Sequence, residues 1–180
     1  FGCCMNEAKI VSNAIDWSAE VFQSLKDQKI TQIGFVADGG LKRIITRCQD
    51  EPSMHTVALS SEEEGPCLIA CAWLVGAKGC IIMQSTGVGN CINTFTMSEV
   101  CQFPLLILVS ARSSWSEGNR WQVPMGQRAR TYFEMAGFHT HFVERPEDAA
   151  PTVTAAAKQA YNTLNGVGVF FSQRVMGVKE

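Results

Sequence analysis

The sequence predicts one α/β domain in three layers, with helices covering both faces of a mainly parallel sheet of about six strands. Three observations carry this. The chain has 180 residues, which at roughly 150 per domain leaves no room for a second full domain. Helical and strand-like hydrophobic periods alternate along its length, the pattern of repeated βα units. Pro104-Leu105-Leu106-Ile107-Leu108-Val109 is apolar without interruption, and such a strand has to be covered on both faces, as at the centre of a parallel sheet.

The elements follow in order. Ile10, Val11, Ala14, Ile15, Val21, Phe22 and Leu25 recur at helical spacing between Asn6 and Lys26, and Asp27 to Lys29 ends that helix. Ile33–Val36 is a short apolar strand that breaks at Asp38-Gly39-Gly40, after which Leu41, Ile44, Ile45 and Cys48 mark one face of a second helix. His55–Leu59 reads as a strand. Leu68–Val75 is apolar on all sides, and Gly65-Pro66 before it suits a helix start, since proline's missing N–H is not needed in a first turn; the helix is expected to be buried. Cys80–Met83 is a strand leading into Gln84-Ser85-Thr86-Gly87-Val88-Gly89-Asn90, with a helix to about Cys101. After the central strand, residues 111–126 form a polar loop carrying Trp115 and Trp121. A helix over Gln127–Ala136, a strand over His139–Val143, a helix over Glu147–Leu164 and a strand over Val167–Ser172 complete the alternation. The domain is expected over 6–174, with Met5 as the start behind Phe1–Cys4 and a short tail over 175–180.

Hydrophobic residues make up 46% and charged residues 18%, which excludes disorder and allows a large core. Fifteen Lys and Arg against 17 acids give a net charge of −2, so no global basic field draws nucleic acid or anionic lipid. Eight cysteines raise the question of redox compartment. No CxxC pair occurs, the histidines show no zinc-ligand spacing, and Cys67, Cys71, Cys80 and Cys101 lie in or beside apolar runs, where a thiol acts as a small hydrophobe. Reduced structural thiols in a cytoplasmic protein are expected. No secretory leader pattern and no apolar run of membrane-spanning length is visible.

In a parallel α/β sheet the site lies outside the carboxyl ends of the strands. Four of those ends carry unusual residues: Asp38-Gly39-Gly40, Ser60 to Glu64, Gln84 to Asn90, and Ser110-Ala111-Arg112. The acids Glu62, Glu63 and Glu64 stand where a helix macrodipole favours carboxylates, and Ser61 with Glu64 makes a capping box. All three can be solvated structure; alternatively one turns inward and exchanges protons beside an apolar helix. Gly87 and Gly89 open backbone N–H groups at a helix start, as a phosphate cradle does. A dinucleotide fingerprint fails because its third glycine falls on Ile92, and a tight turn explains the pair as well. Arg112, with Lys42, Arg43 and Arg120, offers positive charge to an anion.

The order of these pieces carries a resemblance. Glu62-Glu63-Glu64-Gly65 before an apolar helix, then Met83-Gln84-Ser85-Thr86-Gly87-Val88-Gly89-Asn90-Cys91-Ile92-Asn93, then Trp115, Glu117, Asn119 and Trp121-Gln122-Val123-Pro124-Met125-Gly126, resembles the pyrimidine-binding (PYR) domain of thiamine-diphosphate-dependent 2-oxoacid decarboxylases. The pattern is that of sulfopyruvate decarboxylase alpha subunits and of the N-terminal half of phosphonopyruvate decarboxylases, and it spans about Asn6 to Arg174. It implies a catalytic glutamate two positions before the small residue that opens the apolar helix, which is Glu63. That carboxylate would hydrogen-bond N1′ of the cofactor's aminopyrimidine and so favour the tautomer that deprotonates the thiazolium C2. It implies cofactor contacts from Gly87, Val88 and Asn90. The substrate would be a 2-oxoacid with a second anionic group, met by Arg112 and Lys42 with Gln84, Ser85 and His55 as neutral partners. Asp38 and Gly39 match the family's loop near the substrate, although this Ala37-Asp38 stands where a Pro-Asp pair is commoner, and Ser113-Ser114 where Gly-Glu is expected.

The family's Gly-Asp-Gly motif with its distant Asn, which holds Mg²⁺ and the diphosphate, is missing. The resemblance therefore implies a hetero-oligomer in which a beta subunit supplies the metal and diphosphate site, with thiamine diphosphate clamped between the chains. A non-catalytic nucleotide-binding or regulatory module of doubly wound fold, and an alpha-like subunit for carboligation, remain as other readings.

Overall fold

The computed structural model describes residues 16–177; the stretch of the first helix before Asp16, and the last residues of the tail, lie outside them. Six parallel strands form one sheet: β1 (Ile30–Phe35), β2 (His55–Ala58), β3 (Lys78–Gln84), β4 (Leu105–Ser110), β5 (His139–Val143) and β6 (Gly166–Phe171). Their order is β2-β1-β3-β4-β6-β5. The helices are α1 (Trp17–Asp27), α2 (Lys42–Gln49), α3 (Glu64–Leu74), α4 (Ile92–Cys101), α5 (Val123–Met135), α6 (Ala149–Thr163) and α7 (Gln173–Met176).

Period-two alternation in the strands divides the core. Ile33, Cys80, Ile82, Leu106, Leu108, Val167 and Val169 point into one cluster with α1, α2 and α6. Ile81, Met83, Leu105, Ile107, Val109 and Phe170 point the other way, into a second cluster with α3, α4 and α5. The expected three-layer α/β fold is thereby established, and β4, buried at every position, runs through its middle between β3 and β6. In the second cluster Phe133 sits edge-on to Phe95, Phe138 and Phe170. Gly168 leaves the room, since a Cβ there would come 2.5 Å from the Phe133 ring.

Chain order reverses between β1 and β3: β2 lies on one side of β1, and β3, β4, β6 and β5 lie on the other. Such a switch point opens a crevice at the carboxyl edge. Asp38 leaves β1 there and Gln84 closes β3.

Three elements differ from the sequence reading. The glycine segment forms a 3₁₀ turn over Ser85–Cys91 before α4 begins. The polar loop ends early, because α5 starts at Val123 with Pro124 in its first turn. The apolar helix, expected to be buried, has only Gly65, Pro66, Ile69 and Ala72 buried in α3. Cys67 and Cys71 are exposed, as is Cys101 on α4, and Leu74 and Val75 are each 83% exposed. A helix apolar on every side has no polar face to give to solvent, and only half of it meets the sheet. Among the described residues no helix is long and apolar enough to cross a membrane.

Candidate functional site

Two groups of side chains occupy the carboxyl edge. The first joins the end of β2 to the glycine turn. The three acids there take different directions. Glu64 reaches back, its Oε2 accepting from the Ser60 N–H at 3.1 Å, which satisfies a backbone donor ahead of the helix, with Ser60 in place of the expected Ser61. Glu63 is the N-cap residue of α3, makes no side-chain capping bond and is exposed. Glu62 turns toward the glycine turn, and its Oε2 accepts from Asn90 Nδ2 at 2.9 Å. A Cβ at Gly87 would overlap the Glu62 carboxylate and come 2.5 Å from its Cγ. Gly87 thus leaves the space that the Glu62 carboxylate occupies. The acid that contacts the glycine turn is Glu62, whereas the resemblance selects Glu63, whose side chain is exposed and makes no capping bond. Beneath them Val88 and Cys91 are fully buried. Burial, reinforced by the charges of Glu62 and Glu63, pushes the Cys91 thiol up to about 12, so it is inert packing.

The second group gathers around Arg112. Its backbone N–H donates to Ser85 Oγ at 3.0 Å, tying the exit of β4 to that of β3. Its guanidinium lies 3.6 Å from Asp38 Oδ1 and 4.0 Å from Glu117 Oε2, and the three side chains are 7%, 1% and 6% exposed. In one amide orientation Gln84 donates to Asp38 Oδ1 at 3.3 Å. In the orientation that satisfies both ends of the amide, its oxygen accepts from Arg112 Nε and Nη2, each at 3.1 Å.

The expected site residues thus separate. Asp38 and Gln84 come together around the Arg112 guanidinium, with Ser85 on the Arg112 backbone N–H, and Gly87 and Asn90 come together with Glu62. Val88 is fully buried, its side chain part of the core beneath the turn. Gly39 and Lys42 line an adjoining cleft of about 340 Å³ with Phe35 and Ile45, which Asp38 also borders. His55 does not belong: it is exposed and opens edge strand β2, about 10 Å from the strand's carboxyl end at 3.3 Å per residue, with its carbonyl accepting from Gln32. Glu62 was one of three acids among which the sequence left the inward one open; Glu117 and Gln122, quoted there only as parts of the tryptophan motif, and Gln173, which no sequence signal marked, also lie at this edge. Among the described residues no three His, Cys, Asp or Glu side chains cluster as a metal site.

Comparison with known proteins agrees with the resemblance. No family model matches the chain. It is 28% identical over 155 residues to the sulfopyruvate decarboxylase subunit alpha of Methanocaldococcus jannaschii, covering 86% of this chain and 92% of that one. The same subunit of Methanococcus maripaludis is 27% identical, with 81% and 87% covered. The phosphonopyruvate decarboxylase of Streptomyces viridochromogenes is 24% identical over 78% of this chain, which corresponds to 36% of that longer protein. In fold, the chain matches a 2-oxoglutarate:ferredoxin oxidoreductase from Magnetococcus marinus with a TM-score of 0.72 at 11% identity, over 90% of this chain and 29% of that one.

Proposed function

We propose that this chain is the alpha-type subunit of a thiamine-diphosphate-dependent 2-oxoacid decarboxylase acting on a sulfopyruvate- or phosphonopyruvate-like substrate. The observation that carries the reading is the Glu62 carboxylate held against a glycine turn at the carboxyl edge, in a chain similar over most of its length to alpha subunits of such decarboxylases. The donor set fits an aminopyrimidine. Asn90 engages Glu62 Oε2, which leaves Oε1 as the acceptor for a ring N–H, and Gly87 with the buried Val88 presents backbone rather than side chain beside it.

Thiamine diphosphate, when bound, supplies the electron sink that loss of CO₂ from a 2-oxoacid needs. The chain's own share is to hold a proton at one atom. Glu62 Oε1 shares it with the ring nitrogen, Asn90 fixes the rotamer, and Gly87 sets the approach. This reading takes the role expected of Glu63 and gives it to its neighbour.

A partner chain holds Mg²⁺ and the diphosphate in this reading. Its support is the name "subunit alpha" borne by relatives of similar length, the greater length of the phosphonopyruvate decarboxylase, and an uncovered apolar face. Leu74 and Val75 of α3 and its carboxyl end, with Ile92, Met97 and Val100 of α4, are exposed on one helical layer, and α1, α2 and α6 expose no large hydrophobic residue within their described lengths. Exposed apolar side chains concentrated on one helical layer are what a protein interface would cover. The assay is decarboxylation by the complex with the partner subunit. Glu62→Gln lowers kcat by about 10²–10⁴-fold and Glu63→Gln leaves it within a few-fold. Loss confined to Glu63→Gln returns the role to that residue, and loss in neither favours a non-catalytic module.

A further inference from the structure

Arg112 carries a buried positive charge at the carboxyl edge, and that charge is already flanked by partners of its own. Asp38 stands on one side of the guanidinium and Glu117 on the other, all three nearly closed to solvent, and Gln84, in the amide orientation that satisfies both its ends, accepts from Nε and Nη2. Both carboxylates hold backbone as well. Asp38 Oδ2 accepts from the Leu41 N–H at 3.0 Å, where α2 begins. Glu117 Oε1 accepts from the Asn119 N–H at 2.9 Å.

The segment from Ser113 to Asn119 lies between β4 and the 3₁₀ turn over Arg120–Gln122 that leads into α5. Side chains hold it. Gln173 of α7 donates through Nε2 to Glu117 Oε2 at 3.1 Å, accepts from the Trp115 N–H at 3.0 Å and donates its own N–H to Ser114 Oγ at 3.1 Å. The Arg174 guanidinium stacks 3.9 Å from the Trp115 ring centre. Ser113 and Ser116 have φ of +62° and +49°, a backbone form that non-glycine residues keep only when their surroundings enforce it. Gly126 of α5 packs on the Arg112 carbonyl, with no room there for a Cβ.

We infer that Arg112 is a positioning residue: a buried clamp that locks the Asp38 turn to the tryptophan loop, and not the receptor for a substrate's anionic group. Drawing the guanidinium out to meet an anion would strand two buried carboxylates, a larger loss than one new ion pair returns. The recognition of a second anionic group falls instead to a cation outside the clamp, and Lys42, exposed at the cleft that Asp38 also borders, is the candidate nearest the clamp in the lining.

The test needs no cofactor at its first stage. Hydrogen exchange of the full chain follows the amides of residues 113–119 in Arg112→Met, Arg112→Lys and Glu117→Gln. The clamp requires exchange there to rise about tenfold or more in Arg112→Met and Glu117→Gln, with a smaller rise in Arg112→Lys, which keeps the charge but not the fork. Should Arg112→Met fail to fold, Glu117→Gln and Arg112→Lys carry the measurement. In the complex, Arg112→Lys lowers kcat by the same factor for a 2-oxoacid with a second anionic group and for pyruvate. Unchanged exchange, or a KM rise confined to the doubly anionic substrate, overturns the inference.

Discussion

Replacing Gly87 by alanine isolates the contact on which the proposed chemistry turns. The glycine has no positive φ, so alanine meets no backbone strain, and the whole effect is the space its Cβ takes. That atom would stand 2.5 Å from Glu62 Cγ and closer still to the carboxylate, against the roughly 3.5–4.0 Å of an ordinary carbon contact. Glu62 has to withdraw by about 1 Å or more, and it is the end of a flexible, half-exposed side chain, so it rotates away instead of distorting the turn. The Asn90 bond is lost, worth about 1 kcal/mol at this exposure, and alanine's lower unfolded-state entropy returns about 0.4–1 kcal/mol. Urea denaturation should therefore place the variant within about 1 kcal/mol of the parent. Activity should fall by about 10²-fold, the effect of misplacing a reacting group by an ångström. In decarboxylation by the complex, Glu62→Gln with Gly87→Ala should be no slower than Glu62→Gln alone, because both changes remove one function. An active Gly87→Ala variant, or losses that multiply in the double variant, would refute the placement of Glu62.

Three further outcomes are expected. The Tyr161 hydroxyl both donates to the Gly79 carbonyl and accepts from the Gly79 N–H, each at 2.6 Å, so Tyr161→Phe should destabilise the chain by about 2–3 kcal/mol in urea denaturation. Burial raises the pKa of that hydroxyl and pushes the Cys48 thiol up to about 12. The unfolded chain thus releases these protons first, and stability present at neutral pH should decline as pH rises from about 9–10 toward the raised folded values; a flat alkaline profile would contradict the burial of both groups. Leu74→Asp with Val100→Asp, on surfaces 83% and 78% exposed, should leave thermal unfolding of the isolated chain unchanged and abolish co-elution with the partner subunit, and retained co-elution would move the interface elsewhere.

The fold was legible in the sequence because its signals are local and repeated. The uninterrupted run at Leu105–Val109 could be satisfied only between two strands and two helical layers, and β4 is there. The alternation of periods identified each strand, though β1 begins three residues before Ile33, where Gln32 interrupts the apolar pattern. The site was legible as an edge and not as an arrangement. Four carboxyl-end segments were identifiable, but which acid of Glu62-Glu63-Glu64 faces inward depends on the angle at which the chain enters α3, a property of the packing of Gly65 and Pro66 and invisible in three identical letters. Arg112 shows the same difficulty. Its charge is evident in the sequence, whereas its neutralisation depends on Asp38, far back in the chain, and on Glu117, held by Gln173 from the last helix. His55 entered only through the resemblance; it opens β2, at the end opposite the carboxyl edge that the strand rule picks out.

The exposed apolar face and the half-exposed carboxylate have one physical origin. Glu62 lies at the start of α3, and Cys67, Cys71 and Leu74 run down the outer side of that helix. A body seated on this side would remove water from the hydrophobic face and, at the helix start, from Glu62 Oε1. Water competes for that oxygen in the isolated chain, so a shared proton there gains little; with water excluded, the same hydrogen bond strengthens in the lower dielectric. Association and activation would then be one event, and the free subunit would hold its acid near the glycine turn without the surroundings that make it effective. If so, activity should titrate with complex formation and share its midpoint, while substitutions on the outer face of α3 shift both curves together and leave the activity of the saturated complex unchanged.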